Sequence, residues 1–432
     1  MNKKASFLLF IGLTFFLSSC FLFQKTPQKR LPTAPDKEDI EKKLPENKSV
    51  THEEDSLRKE KAPVFYDIAL FVPLDIDRVV SGNFEVGSAE PLPSSTVDGL
   101  SFYEGVLMAV DSLRSENIPV RLHVYDSKSE KTPLPQLFKS GKVDSADLLL
   151  GAVRDNAFNK VASFAKQKKI NFISATYPND GGVRDNPYLY IVNSTLHIHA
   201  VAMQSFVQKK FGSKKITVVY KNNAQGKKTV GYLNDAYNNL NYFNKKPLNL
   251  FEWTGEVETQ TQQLVSQLDK GKRNVIVLTT LYPEVSLNIV SALAPYGEDY
   301  RISIVGMPTM NGLSALKEKK YAGIDIYYGS VFPYENLAEF PVLKRMMWKY
   351  FALYHARPSE DALNGFETMF YFGQLLNKKG PFFRKDVNNS NGHLATEFNF
   401  QPIYKKGETP AYFENTRIYF LKERNGKVTP AN

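Results

Sequence analysis

Short apolar runs alternate along the chain with longer segments whose apolar residues recur every three or four positions. "YDIALFV" (Tyr66–Val72), "NVIVL" (Asn274–Leu278) and "ISIVG" (Ile302–Gly306) have the length and composition of buried strands. Residues 81–97 are rich in Gly, Pro and Ser and predict a loop. In residues 102–115, by contrast, Phe102 and the apolar residues that follow it at helical spacing lie on one helix face. Because such strands and helices keep alternating, the pattern predicts parallel sheets that are covered by helices on both faces.

The number of predicted strands exceeds what one small sheet holds. About ten strands over about 270 residues favour two sheets, and therefore two lobes. After this region the pattern changes, because residues 397–427 alternate apolar and polar positions between turn-forming residues. This last segment predicts hairpins.

The amino-terminal residues have the organisation of a secretory signal. Lys3 and Lys4 precede an apolar run over residues 7–17, which is too short to span a bilayer, and small residues follow. Leu17-Ser18-Ser19-Cys20 resembles the lipobox of bacterial lipoproteins, in which the cysteine becomes the lipidated first residue. We expect a signal peptide over residues 1–19 and acyl chains on Cys20. The alternative is an ordinary signal peptide with an incidental cysteine.

A highly charged segment separates this signal from the apolar pattern. Residues 24–63 contain ten Lys or Arg and nine Asp or Glu, with few large apolar side chains. Such a segment buries too little surface to offset its ordering entropy. We therefore predict a disordered tether over residues 20–63, which holds the body away from the membrane.

Composition and charge exclude several classes of function. The chain has 432 residues, a formal net charge of +10 and 42% hydrophobic residues, so it contains enough apolar surface for one or two cores. Its lysines are scattered in pairs, which favours a solvated surface over a nucleic-acid interface. Cys20 is the only cysteine, which excludes disulfides and cysteine catalysis in the body.

The motifs of enzymes and metal sites are absent from the sequence. Gln225–Thr229 imitates the end of a phosphate-binding loop, but Lys221 stands where the upstream glycine is required. His197 and His199 lack further ligands nearby in sequence, so a zinc site is not expected. We predict a protein that is not an enzyme, with neither cofactor nor metal.

The order of several segments resembles the type I periplasmic binding proteins, in particular the leucine/isoleucine/valine-binding receptors of ABC transporters. The resemblance extends roughly from residue 64 to residue 428 and rests on segments in a fixed order rather than on one motif. These are "DGLSFYEGVLMAVDSL" with "VRLHVYDSKSE", "LLLGAVRDN", "KINFISATYPND", "KITVVYKNNAQG" and "FALYHARPSEDALNGFETMFYFGQLL".

This resemblance implies two Rossmann-like lobes that are joined by three crossovers, with a ligand held in the cleft between them. Lobe 1 would contain residues 64–193 and 333–379, and lobe 2 would contain residues 194–332 and 380–432. Open parallel sheets bind ligands beyond the carboxyl ends of their strands, which agrees with a cleft at that edge.

The resemblance also implies a set of ligand-binding residues in the loops that face the cleft. Asp155 would oppose a ligand carboxylate, whereas Arg154 would bind one. The acidic residue that the family has after "ISIVG" is missing here, so either Asp155 or Glu284 replaces it or the ligand is not an α-amino acid. The candidates are Arg154, Asp155, Asn156, Ser174, Ala175, Thr176, Tyr282, Glu284 and Thr309.

Two functions remain open from the sequence. The first is a lipid-anchored receptor that presents a small polar ligand, amino-acid-like or an organic anion, to an ABC permease or a sensor. The second is a ligand-free module of the same fold that binds or regulates an envelope protein. Both place the chain in the bacterial cell envelope, facing the periplasm. Because no Asp follows Cys20 directly, we expect the outer rather than the inner membrane.

Overall fold

The computed structural model describes residues 65–81, 92–212, 214–239, 248–333, 337–389, 394–405 and 407–431. The predicted signal, Cys20 and the charged tether lie outside these residues. Within the described residues the strands are β1 (Tyr66–Val72), β2 (Val120–Asp126), β3 (Leu148–Gly151), β4 (Phe172–Ser174), β5 (Leu189–Ile191), β6 (Ile216–Tyr220), β7 (Asn249–Glu252), β8 (Asn274–Leu278), β9 (Ile302–Gly306), β10 (Asp325–Ser330), β11 (Phe400–Ile403), β12 (Tyr412–Asn415), β13 (Tyr419–Arg424) and β14 (Lys427–Pro430).

Helices follow most of these strands, as the apolar spacing predicts. They are α1 (Ile76–Ser81), α2 (Ser94–Ser115), α3 (Leu134–Lys139), α4 (Asp155–Lys168), α5 (Leu196–Phe211), α6 (Ala224–Asn239), α7 (Val257–Ser266), α8 (Pro283–Leu293), α9 (Pro341–Tyr354) and α10 (Glu360–Lys379). Helix α2 begins eight residues before Phe102, inside a Ser- and Pro-containing stretch that the sequence predicted as a loop.

The strands form two seven-stranded sheets with matching orders. The first sheet has the order β11-β12-β5-β4-β3-β1-β2, and the second has the order β14-β13-β10-β9-β8-β6-β7. The central strands of both sheets are parallel, and the β11–β12 and β13–β14 pairs are antiparallel hairpins. This arrangement confirms the prediction of two mostly parallel sheets followed by hairpins.

Each sheet is buried on both faces because apolar residues occupy successive positions of its strands. In β1, Ile68, Leu70 and Val72 pack with α2, α9 and α10. Ala69 and Phe71 point to the other face, towards α3 and α4. The second sheet is covered in the same way, by α7 and α8 on one face and α5 and α6 on the other. The result is a two-layered core in each lobe.

The chain passes between the lobes three times, from β5 to α5, from β10 to α9 and from β12 to β13. The predicted three crossovers are therefore confirmed. One boundary differs from the expected division, which placed all of residues 380–432 in lobe 2. Strands β11 and β12 belong to the first sheet, since β12 pairs with β5 and Phe413 stacks on Tyr190 with ring centroids 5.1 Å apart. The chain enters lobe 2 for the last time only after Asn415.

Candidate functional site

A cavity of about 330 Å³ lies at the carboxyl ends of the strands of the first sheet. Here this is called the cleft cavity. Strand β1 lies between β2 and β3 in the sheet, so the chain changes its direction of winding between β1 and β3. Loops diverge at such a point and leave room for a ligand, which is why open α/β sheets bind ligands there.

The cleft cavity is built from loops and helix amino termini that are far apart in the sequence. The first turn of α2, the loop after β2, the start of α4, the loop after β4 and the first turn of α10 all contribute to it. The lining residues are Pro73, Ser94, Ser95, Asp98, Gly99, Ser127, Lys128, Ala152, Val153, Arg154, Asp155, Ala157, Thr176 and Asp361.

The loop after β3 brings together three features that can hold an anion. Arg154 precedes α4 in extended conformation and is exposed. The first amides of α4 point out of the helix at the same place, where the helix dipole favours negative charge. Thr176 lies beside them after β4. The Tyr177 hydroxyl donates a hydrogen bond of 3.0 Å to Asp155 Oδ1, which positions that carboxylate.

Two other carboxylates face the same cavity. Asp98 lies in the first turns of α2, and Asp361 is the second residue of α10. Partial burial raises the pKa of Asp361 above its ordinary value, Asp98 raises it further, and Arg154 opposes the increase. Because two nearby carboxylates repel each other and both gain from a positive charge between them, this wall of the cavity is suited to a cationic group.

A hydrogen bond closes the third side of the cleft cavity. Lys128 Nζ donates to Ser95 Oγ over 2.8 Å and so connects the loop after β2 to the first turn of α2. The lining therefore contains three carboxylates, of Asp98, Asp155 and Asp361, and two cationic side chains, of Lys128 and Arg154. A lining that offers both signs of charge suits a small ligand that also carries both.

The structure brings together only part of the residues that the sequence indicated. Arg154, Asp155 and Thr176 line the cleft cavity. Asn156 is exposed on α4 outside the lining, while Ser174 and Ala175 are buried. Ser174 Oγ has no hydrogen-bond partner among the described residues. Neither Ser174 nor Ala175 belongs to the lining of the cleft cavity.

The three candidates from lobe 2 lie outside the lining of the cleft cavity, as far as the described residues show. Tyr282 lies directly before α8 and Glu284 lies in its first turn, and both are exposed. The Lys221 ammonium lies 5.8 Å from the centroid of the Tyr282 ring. Thr309 lies in a 3-10 turn after β9, with its hydroxyl buried. These residues occupy the positions in lobe 2 that correspond to Arg154, Asp155 and Thr176 in lobe 1.

The lobes nevertheless contact each other beside the cavity. Asn311, two residues after Thr309, donates from Nδ2 to both carboxylate oxygens of Glu360, over 3.1 and 3.3 Å. Glu360 is the neighbour of Asp361 at the start of α10. The loop after β9 therefore reaches the mouth of the cleft cavity from the second lobe.

The sequence analysis missed the α2 and α10 residues of the site. Ser94, Ser95 and Asp98 fell in or beside a predicted loop, and Asp361 was noted only as part of the family resemblance. Polar residues in the first turn of a helix were the available signal. That signal does not say which helix amino termini meet, because α2 and α10 are more than 200 residues apart.

Two negative findings concern the described residues. They contain no group of three or more His, Cys, Asp or Glu side chains that could hold a metal ion. None of their helices is both long enough and apolar enough to cross a membrane.

Comparison with known proteins identifies the family. A family model described as periplasmic binding protein matches residues 93–391, which is more than half of the chain. The chain therefore belongs to the periplasmic binding protein family, as the order of its segments indicated. This is a family of extracytoplasmic binding proteins, which agrees with the prediction that the chain is not an enzyme. No curated protein sequence matches the chain.

Solved structures support the fold at low sequence identity. A protein from Rhodospirillum rubrum, described as a branched-chain amino acid ABC transporter, aligns with a TM-score of 0.64 and 13% identity over 85% of this chain and 100% of its own. A leucine-bound ABC transporter substrate-binding protein from Desulfitobacterium hafniense aligns with a TM-score of 0.54 and 11% identity, with the same coverage. The C-domain of LpoA from Haemophilus influenzae, a regulator of PBP1A, aligns with a TM-score of 0.53 and 12% identity over 85% of this chain and 100% of its own.

Proposed function

We propose that the protein is a solute-binding protein whose cleft cavity holds a small polar ligand with one cationic and one anionic group, as in an amino acid. The observation that carries this proposal is that carboxylates and cationic side chains line the same cavity. Asp98 and Asp361 would bind the cationic group. The Arg154 guanidinium, the Thr176 hydroxyl and the first amides of α4 would bind the anionic group.

The proposal includes closure of the lobes about their crossovers. Closure would bring the loops after β8 and β9 towards the ligand, with Tyr282, Glu284 and Thr309 as the contributing residues. The contact between Asn311 and Glu360 supports this direction of movement, because the loop after β9 already reaches α10. Asp155 is held by Tyr177 and would orient the ligand from the side of α4.

A thermal-shift screen of amino acids, diamines and small organic acids tests the proposal. A ligand at 100 times its dissociation constant should stabilise the protein by about 2.7 kcal/mol. Asp361→Asn and Arg154→Ala should each abolish the shift, because each removes the partner of one charged group. Tyr282→Ala should weaken it if closure completes the site. Glu258→Gln, an exposed change on α7, is the matched control and should leave the shift unchanged.

We further propose that acyl chains on Cys20 attach the protein to the membrane and that it delivers its ligand to an ABC transporter. Several acyl chains would bind stably, since each buried CH₂ contributes about 0.8 kcal/mol. A Cys20→Ser chain should move from the membrane fraction to the soluble fraction and remain folded. Retention of this variant on membranes after a high-salt wash would contradict the lipid anchor.

A second candidate function is an interaction module that regulates an envelope protein. It is favoured by the cleft cavity being lined by lobe 1 alone within the described residues, and by the similarity of the fold to the LpoA domain, a regulator of PBP1A. Under this alternative no small molecule in the screen would shift the melting temperature, and Asp361→Asn would change the binding of a protein partner instead.

A further inference from the structure

A second concave site lies in lobe 2, at the opposite end from the cleft. The amino edge of the second sheet, where β6, β8, β9 and β10 begin, holds a cavity of about 520 Å³. Here it is called the basic cavity. Its lining residues are Lys210, Phe211, Lys214, Arg273, Asp325, Tyr327, Lys422, Pro430 and Ala431. None of them contributes to the cleft cavity, so the basic cavity is a separate feature.

The basic cavity has an excess of positive charge. Four cationic side chains line it, against the single carboxylate of Asp325. That carboxylate is already shared, because Arg273 lies 3.2 Å from Oδ2, and Lys422 and Arg424 lie 2.9 and 3.2 Å from Oδ1.

Packing holds two of the ammonium groups in place. Lys210 Nζ donates to the Ala431 carbonyl over 2.5 Å and lies 5.4 Å from the centroid of the Tyr327 ring. Lys422 Nζ lies 5.6 Å from the same ring centroid. Tyr327 is buried, so the two lysines are ordered around a fixed aromatic ring. Ordered cations lose less conformational entropy when an anion binds between them.

Lys214 has no carboxylate partner among the described residues. It is exposed and lies just before β6, where it faces the space beside Arg273. A neighbouring cavity of about 320 Å³ adds Arg301 and Arg424 and shares Arg273 and Asp325. The cationic groups therefore continue along the amino edge of the sheet, and Glu298 is the one further carboxylate there.

We propose that the basic cavity binds a phosphate group. A carboxylate offers two oxygens in one plane, and Asp325 already fills that role for Arg273 and Lys422 of the lining and for the neighbouring Arg424. A phosphate group presents oxygens in several directions, which suits donors that converge from α5, β13 and the loops before β6 and β8. A phosphate monoester carries about −1.5 to −2 charges at neutral pH. It would therefore offset much of the positive charge that the four cations of the lining have in excess of the one carboxylate.

The phosphate group has two possible sources, a soluble phosphate compound and a phospholipid headgroup, and the experiment distinguishes them. The full chain is titrated with inorganic phosphate by calorimetry at low ionic strength. It is also mixed with phosphatidylcholine vesicles that contain or lack phosphatidylglycerol. All variants keep the same amino-terminal segment, so its membrane affinity is a common background.

Lys214→Glu is the test variant, and Lys422→Gln is a second variant that removes a cation without adding a carboxylate. Each should weaken phosphate binding by about tenfold or more, because each removes a charge-assisted hydrogen bond. Lys227→Glu is the matched control, since it makes the same charge change on an exposed residue of α6 at the other end of the lobe. Circular dichroism and the melting temperature of each variant establish that it is folded.

Two results of these experiments would support the proposal, and two would overturn it. Saturable binding of inorganic phosphate that Lys214→Glu weakens and Lys227→Glu does not supports a soluble phosphate compound. The same dependence seen only with phosphatidylglycerol vesicles supports a lipid headgroup. Equal loss in Lys214→Glu and Lys227→Glu would indicate general electrostatic attraction and overturn the proposal. Absence of binding in both arms would overturn it as well.

Discussion

The two lobes share a strand order but differ in the side chains at the two edges of their sheets. At the carboxyl edge of the first sheet, loops and helix termini form the cleft cavity, whereas the corresponding residues Tyr282, Glu284 and Thr309 of lobe 2 lie outside it. The amino edges differ too. In lobe 1, Asp67 lies 2.6 Å from Arg121 and 2.7 Å from His123, while the amino edge of lobe 2 carries the excess cations of the basic cavity.

This difference shows that topology and chemistry are set by separate parts of the sequence. The strand interiors of both lobes are apolar and determine the sheet order. Several charged residues in the loops beside the strands, such as Arg154 and Lys214, are exposed, so a change of their charge has little effect on the core. Similar folds can therefore carry different sites, and function must be argued from the side chains at the edges.

The largest expected effect concerns the contact between α2 and α10, which builds the cleft cavity. A Cβ at Gly105 would lie 1.8 Å from the Ala362 carbonyl oxygen, and one at Gly365 would lie 2.2 Å from that of Phe102. Gly105→Ala must push the two helices apart. We expect it to lower the free energy of unfolding by about 3 kcal/mol or more, as measured by urea denaturation.

Gly231 in lobe 2 is the matched control for this prediction. It lies within α6, and a Cβ there would meet no atom within 4 Å. Gly231→Ala should raise stability by about 0.5–1 kcal/mol, since alanine loses less backbone entropy on folding. If Gly105→Ala is tolerated as well as Gly231→Ala, the close crossing of α2 and α10 is not as described.

The next effect is a pH dependence of opposite sign in the two lobes. His199 of α5 is fully buried, and burial lowers its pKa to about 4 from an ordinary value of 6.5. The folded state therefore resists protonation. The contribution of the neutral His199 side chain to stability is fully present above pH 6.5 and is lost as the pH falls towards 4. His199→Met should remove this loss, which is on the order of 3 kcal/mol.

Glu367 of α10 should act in the other direction. Burial raises its pKa to about 7, although the Thr396 side chain and the amides of Thr396 and Ala395 donate to its carboxylate and oppose the increase. The contribution of the protonated Glu367 side chain to stability is fully present below pH 4.5 and is lost as the pH rises through 7. Glu367→Gln should flatten this decline, with a somewhat smaller effect because the hydrogen bonds to the carboxylate are also changed.

Urea midpoints of both variants and of the parent chain, measured from pH 4 to pH 8, check this pair of predictions. The difference between variant and parent isolates each group from the remaining carboxylates. His355→Asn replaces an exposed histidine at the end of α9 and should leave the acid side of the curve unchanged. Parallel curves for His199→Met and the parent would contradict the buried, neutral state of His199.

Most of the fold could be predicted because its signals are local. The runs of β1, β8 and β9 are apolar at successive positions, and the helices between them repeat apolar residues at helical spacing. The family resemblance indicated Arg154, Asp155 and Thr176, and all three line the cleft cavity. The sequence did not predict the start of α2, because serine and proline at residues 93–95 are as typical of a loop as of a helix start.

The sequence by itself therefore determined the two parallel sheets, their helices and the loops that face the cleft, since burial and turn formation depend on residues close in the chain. The tertiary structure alone decided three further points. It placed Asp361 opposite Asp98 by crossing α10 over α2 at their glycines, it joined β11 and β12 to the first sheet through Phe413 and Tyr190, and it gathered the cations around Asp325. Each of these contacts joins segments widely separated in sequence, so it depends on how complete elements pack rather than on any local pattern.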